Sequence, residues 1–183
     1  HLIRKLFSRV WITPEVKKEA FDWGVRLGHA DAQAIGEAIE EGWITVHDVS
    51  ETAALAVKKL AEGENISRTD AKTLLLAKEN VAEILVDEKG LSDLAKMYGL
   101  KVWNTWTILL ESLRRGYIEI SDIQSAIKEL GERRHKLKDK QAEETLNAAK
   151  FIASRRRKRK AGSMIVTSQI SELPLKGCPP VNC

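Results

Sequence analysis

The sequence predicts an α/β fold in which a parallel sheet is covered by helices on both faces, and three observations carry that prediction. Short β-prone apolar runs recur along the chain with helical stretches between them, the alternation that builds parallel sheets. Pro14, Gly42 and Gly99 fall where one kind of run gives way to the other. With 183 residues, 43% of them hydrophobic and 31% charged, the chain can bury a core and is not a disordered polymer.

Leu2, Ile3, Leu6 and Phe7 fall on one face of a short opening helix, and Val10-Trp11-Ile12 follows as a strand. Pro14 suits the first turn of the next helix, where Glu15 complements the dipole, and that helix continues through Val16, Ala20 and Phe21. A glycine-containing break at Gly24–Gly28 separates it from a helix over Ala30–Glu41, which Gly42 ends. Trp43–Val46 is the second strand, and Asp48–Ser50 starts a helix over Thr52–Ala61. After the polar loop Glu62–Asn65, Thr69 is the expected cap of a helix over Asp70–Glu79. Val81–Val86 is the expected third strand, Leu91–Tyr98 a helix stopped by Gly99, and Leu100–Trp103 the fourth strand. Thr105–Arg115, Ser121–Leu130 and Asp139–Ser154 read as helices. From Ala161 onward Gly162, Pro174, Gly177, Pro179 and Pro180 disfavour regular structure, and Met164–Thr167 could form a short strand.

Charge is unevenly spread. The overall net charge is +4, of which residues 155–183 supply +6, so the rest of the chain sums to −2. The run Arg155, Arg156, Arg157, Lys158, Arg159 and Lys160 can hold a polyanion without sequence choice, or it can be a solvated helix end. No apolar run approaches the roughly 20 residues of a membrane span, so no membrane partner is expected. Both cysteines, Cys178 and Cys183, lie near the end; a body without cysteine does not depend on disulfides and suits a cytoplasmic location. With no second ligand pair, they read as free thiols or a small reversible loop rather than a zinc site.

Doubly wound sheets place ligands at the carboxyl ends of their strands. Asp87 directly follows Ile84-Leu85-Val86 and stands at such an end, where it could hold a divalent cation or cap the helix beginning near Gly90. Asp70 opens a helix with strongly apolar later turns and serves at least its dipole. Glu19 borders the inward-facing Ala20 and Phe21. Carboxylates that converge repel one another unless a cation or a proton neutralises them, and Mg²⁺ and Mn²⁺ prefer oxygen ligands of this kind. The four tryptophans Trp11, Trp43, Trp103 and Trp106 read as core, and the scattered histidines as surface residues without metal-ligand spacing. Arg114-Arg115 and Arg133–Lys136 could touch phosphates, but helix-end charge accounts for them more simply. No glycine-rich phosphate loop or nucleophile elbow is present.

Several of these pieces, in this order and spacing, resemble a PIN domain. They are Thr69-Asp70-Ala71 with Leu74-Leu75-Leu76-Ala77, Ile84-Leu85-Val86-Asp87-Glu88, Leu94-Ala95, Gly99-Leu100-Lys101-Val102 and Asn104-Thr105. Upstream, Leu6-Phe7, Val10–Val16 and Glu19 are similar to the family's second strand and its following helix, and Gly42-Trp43-Ile44 to the next strand. The resemblance covers roughly residues 1–150 and implies a PIN-like three-layer sandwich: a domain over residues 1–154, then a basic cluster and irregular tail over 155–183. It implies an acidic cluster binding Mg²⁺ or Mn²⁺ that cuts RNA, often as the toxin of a toxin–antitoxin pair. The matching positions are Glu19, Asp70 and Asp87, with Glu88 as an auxiliary carboxylate and Thr105 as a hydroxyl close to the site. RNA, an antitoxin protein and a second copy of the chain are the expected partners.

The family's first acid, an aspartate ending a first strand, has no counterpart before His1. Three arrangements fit. The sequence is a fragment that has lost its start; or Met164–Thr167 substitutes in permuted order, with Thr167 or Ser168 in the aspartate's place; or the protein is a non-catalytic relative that binds RNA or a partner. A truncated or altered form is the favoured expectation.

Overall fold

A computed structural model describes residues 2–132 and 139–170. The chain divides into two compact units, His1–Leu109 and Leu110–Cys183, taken here one at a time.

The first unit opens with helix α1 (Leu2–Leu6) and strand β1 (Val10–Ile12). Thr13 then caps the next helix, its Oγ1 accepting from the Val16 N–H at 3.3 Å, with Pro14 at the first helical position. That helix comprises α2 (Pro14–Lys17), a π-helical turn over Lys18–Asp22 and α3 (Trp23–Arg26). Gly24 therefore lies inside a helix rather than in a break. It is buried, and a Cβ there would stand 2.7 Å from Ala32 Cβ on the following helix α4 (Ala30–Glu40). A Cβ on Gly36 of α4 would stand 2.5 Å from the Phe21 ring. Two glycines thus set the close approach of these helices, a packing reason that leaves no trace in a break-and-helix reading.

Strand β2 (Ile44–Val46) pairs in parallel with β1, Val10 opposite Ile44 and Ile12 opposite Val46. A single-turn 3₁₀ segment (Glu51–Ala53) leads into α5 (Ala54–Glu64), and α6 (Arg68–Glu79) follows. Strand β3 (Ile84–Leu85) pairs in parallel with β4 (Val102–Trp103), with α7 (Lys89–Met97) as the crossover and α8 (Thr105–Arg115) leaving β4. Parallel strands joined through helices are as expected. The expected single central sheet is not what forms: among the described residues there are two separate two-stranded pairs. The core runs through Leu74 and Ala77 of α6, Ile84 of β3, and Leu91, Leu94 and Ala95 of α7, with Val57, Ala61 and Ala71 packed between α5 and α6.

The third strand is shorter than its apolar run because the closing turn of α6 takes in Val81 and Ala82. Ala82 N–H bonds Ala77 O at 2.9 Å and Val81 N–H bonds Lys78 O at 3.3 Å, the closing pattern of a Schellman turn. The left-handed position falls on Val81, at φ 50° and 94% exposed. Gly99 closes α7 with the same pattern at φ 79°, at no steric cost. A β-branched residue pays for that backbone in Cβ–carbonyl crowding and gains no burial in return.

Lys72 of α6 ties the first strand pair together. Its ammonium donates to Glu15 Oε1 at 2.7 Å and to Asp48 at 2.9 and 3.2 Å. Glu15 follows β1 and Asp48 follows β2, so one cation binds the carboxyl ends of two neighbouring strands. The hydrogen bond from Lys72 holds the Asp48 carboxyl below its ordinary range. Burial works to raise Glu15, but the Lys72 bond, a backbone bond and the Lys72 charge together lower it. The same two carboxylates raise Lys72 above the usual lysine value.

In the second unit, α9 (Ile120–Glu132) packs on α10 (Asp139–Ile170). Leu113, Ile123 and Ala149 are fully buried there. Met164–Thr167, expected as a strand, lies within α10: Gly162 alone does not stop a helix that meets no proline before Pro174.

Two outcomes follow from this architecture. Val81→Gly should raise stability by about 1 kcal/mol in chemical unfolding, and a loss would show that the Val81 side chain is held by a contact. Lys72→Met should cost about 1 kcal/mol at about pH 7, and the deficit should vanish near pH 2. The depressed carboxyls contribute stability above their unfolded pKa and lose it as pH falls through their folded values. A deficit unchanged in acid would refute the pairing. All five tryptophans lie in the first unit, so their emission reports its unfolding.

Candidate metal and nucleic-acid sites

Asp87 stands one residue past the last ladder bond of the second strand pair, in which Val86 N–H donates to Trp103 O at 2.8 Å. Its carboxylate accepts from the Thr105 backbone N–H at 2.8 Å and from the Thr105 hydroxyl at 2.6 Å. The helix it caps is therefore α8, across the strand pair, and not the one beginning near Gly90. There Glu88 holds the cap position without a side-chain cap bond. Asn104 and Thr107 complete the start of α8: Thr107 N–H donates to Asn104 Oδ1 and Asn104 N–H to Thr107 Oγ1, both at 2.8 Å. The helix dipole favours a carboxylate at this point. A carboxylate has about four acceptor positions, so two donors leave Asp87 with unused capacity, and the residue is exposed.

Glu19 sits in the π-helical turn, exposed, and its Oε1 accepts from Thr69 Oγ1 at 3.4 Å. Thr69 is thus not the cap of α6. Ser67 is: its hydroxyl accepts from Asp70 N–H at 3.0 Å and donates to Asp70 Oδ2 at 2.7 Å, so both bonds of this cap run through one hydroxyl. The structure brings Glu19 to the first turn of α6, which carries Asp70, and brings Asp87 to Thr105. It does not gather Glu19, Asp70 and Asp87 together: among the described residues no three His, Cys, Asp or Glu side chains form a group that could hold a metal ion. The donor chemistry suits a hard cation, since Mg²⁺ is commonly held by one or two carboxylates with water and substrate phosphate. A closed three-acid cage is not present among the described residues.

The sequence reading passed over Glu15, Asp48 and Lys72. The strand-end rule that picks out Asp87 applies equally to Glu15 and Asp48, which were assigned instead to helix starts. Glu83 was also missed: it accepts from Lys101 Nζ at 2.7 Å and from the Trp103 indole N–H, and the Lys101 bond lowers its carboxyl.

Trp11, Trp43, Trp103 and Trp106 are half-buried rather than fully core, and Trp23 is exposed. Trp103 meets the edge of Phe7 at 5.3 Å, and Trp11 stacks on His47 at 4.2 Å. Arg114 and Arg115 both bond Glu111, whose carboxyl is lowered to about 2 chiefly by the Arg114 hydrogen bond; they are helix-end pairs. Arg133–Lys136, Cys178 and Cys183 lie outside the described residues.

The basic run divides by role. Arg156 is half-buried; it donates to Leu113 O at 2.9 Å and Ile118 O at 3.4 Å and pairs with Glu119, closing the α8–α9 turn. Arg155 lies over the Phe151 ring, its guanidinium carbon 4.7 Å from the centroid. Arg157 and Lys158 are exposed, while the side chains of Arg159, Lys160, Thr167 and Ser168 lie outside the described set. Met164–Thr167 is helical, so the strand expected there does not form. No described helix is long and apolar enough to cross a membrane.

Comparison with curated proteins gave no match. A family model described as DUF3368, PIN domain, matches residues 1–150, which takes in both strand pairs, the Asp87–Thr105 clasp and the Glu19–Thr69 contact. The match spans most of the chain, so the chain belongs to the PIN-domain family.

Proposed function

We propose that this chain is a metal-dependent endoribonuclease of the PIN type, with Asp87 at the centre of its site. The observation that carries the reading is the Asp87–Thr105 clasp at the carboxyl ends of two paired parallel strands, where α/β folds bind ligands. Asp87 is the proposed carboxylate ligand of Mg²⁺ or Mn²⁺, with water and substrate phosphate taking the other positions; Asp70, Glu19 and Glu88 are proposed as supporting acids that do not join it in one group, and Thr105 orients Asp87. When bound, such a cation offsets the charge that builds up on a phosphodiester under attack by water. Donation from both the N–H and the hydroxyl of one residue holds the Asp87 carboxylate in a fixed orientation. The proposal takes in residues 1–154 as a PIN-like three-layer sandwich, a cytoplasmic location, an antitoxin or second copy as protein partner, and residues 155–183 as a basic extension.

A second reading, a non-catalytic PIN-like module that binds RNA or a partner protein, draws on a specific observation. The Asp70 carboxylate already accepts from the Ser67 hydroxyl, and the three acids are not gathered into one group.

Cleavage of RNA in Mn²⁺ separates the two. Asp87→Asn should lower kcat/KM by about 100-fold or more, because it replaces the proposed carboxylate ligand with an amide; equal cleavage by both forms would end the assignment of this site. Thr105→Val should cost about 10-fold or more through loss of the orienting hydroxyl, with Thr105→Ser recovering most of it. Equal losses in both Thr105 variants would mean that the hydroxyl has no part.

A further inference from the structure

Arg156 anchors α10 by one side, and the opposite side carries a different chemistry. Ala149 and Ala153 are buried and Ile152 is half-buried, and with Arg156 they form the inner face. The helical period places Lys150, Phe151, Ser154, Arg155, Arg157 and Lys158 together on the other face, and each of them is exposed. No acidic residue occurs between Glu144 and Glu172, so nothing within that stretch neutralises the surface. Among the described residues, Lys150, Arg157 and Lys158 have no ion-pair partner, although α10 makes such pairs elsewhere, at Lys140–Glu144 and Arg156–Glu119. Within this row of cations stands one large apolar side chain: Phe151, 58% exposed, with Arg155 against its ring.

An exposed phenylalanine on a cationic helix face is costly to leave in water and is explained by neither the core nor the Arg156 anchor. Cations spaced along one helical face match the phosphates of a flexible strand, and an aromatic ring topped by a planar guanidinium offers a stacking surface to an unpaired base. A duplex hides its base faces, so the ring would be unused against double-stranded nucleic acid. An acidic peptide would satisfy the cations and leave the ring without a matching partner.

We propose that the outer face of α10, formed by Lys150, Phe151, Arg155, Arg157 and Lys158, is a binding surface for single-stranded RNA, with Phe151 and Arg155 stacking on a base. The choice of RNA over DNA rests on the ribonuclease reading above; the surface itself needs no metal. Arg156, although part of the same basic run, belongs to the anchor and not to the interface.

The test is binding of a short fluorescent oligouridylate to the full chain in chelator, followed by anisotropy over a range of salt. Four phosphate-facing cations predict a log–log salt slope of about −3, falling by about 0.7 for each cation removed in Lys150→Gln, Arg157→Gln and Lys158→Gln. Phe151→Ala should weaken binding about 10-fold with the slope unchanged, and should leave the affinity for inorganic polyphosphate as it is. The measurement is made in chelator and reads binding without cleavage, which keeps this test apart from that of the nuclease site. The proposal is overturned if the parent does not bind the oligonucleotide. It is also overturned if Phe151→Ala binds RNA as tightly as the parent, or if an oligoglutamate peptide competes as well as RNA, which would mark an acidic-protein surface. All these substitutions are at exposed positions, and circular dichroism of each variant checks that α10 persists.

Discussion

One ammonium group holds the carboxyl ends of β1 and β2 in place. Glu15 and Asp48 close two adjacent parallel strands and would repel each other there if both were ionised and unpaired. Lys72 removes that conflict from a third element, α6, so the charge that joins the strands also fixes the helix against them. The strands are only three residues long, and their ladder alone is a weak constraint. The same helix supplies Leu74 and Ala77 to the core and Asp70 and Thr69 at its first turn. The position of the proposed acidic residues therefore depends on a helix that is itself held by electrostatics at its middle and by apolar packing along one face.

The second strand pair is organised by a comparable economy of contacts. Asp87 joins the end of β3 to the start of α8 through a single residue, Thr105, while Glu83 joins the two strands at their other end through Lys101 and Trp103. Each pair of strands thus ends in carboxylates, but those carboxylates are used differently. Glu15 and Asp48 already have a cation of their own. Asp87 has only the neutral donors of Thr105 and no cation of its own.

How much of this could be read in the sequence depended on how local its cause was. Thr13-Pro14, Gly42 and Gly99 announce their turns because the physics sits in those residues, and the bounds of α8 follow from its own periodicity. Ser67 and Thr69 are two hydroxyls two positions apart, and only the Asp70 side chain decides between them. Val81 reads as strand because β-branched residues rarely take a left-handed backbone. Met164–Thr167 reads as strand because Ile165, Val166 and Thr167 are β-branched, yet it continues a helix that begins at Asp139. The Lys72 bridge spans 57 residues to Glu15 and 24 to Asp48, and no window along the sequence contains it. Asp87 was legible because its strand and its exposure are both local; its tie to Thr105 was not.

The π-helical turn at Lys18–Asp22 gives Glu19 a setting unlike that of the other acids. A π turn accommodates a residue more than an α turn of the same length, so this helix carries a surplus that its neighbours on either side do not need. Removing one residue there could restore an uninterrupted α-helix while rotating everything on one side of the deletion by about 100° relative to the other. Glu19 and the Gly24–Ala32 contact lie at and beyond that turn, so the packing of α3 on α4 and the approach of Glu19 to Thr69 cannot both survive such a change. The irregularity acts as a phase adjuster, letting one helix meet two partners whose spacing a regular helix would not match.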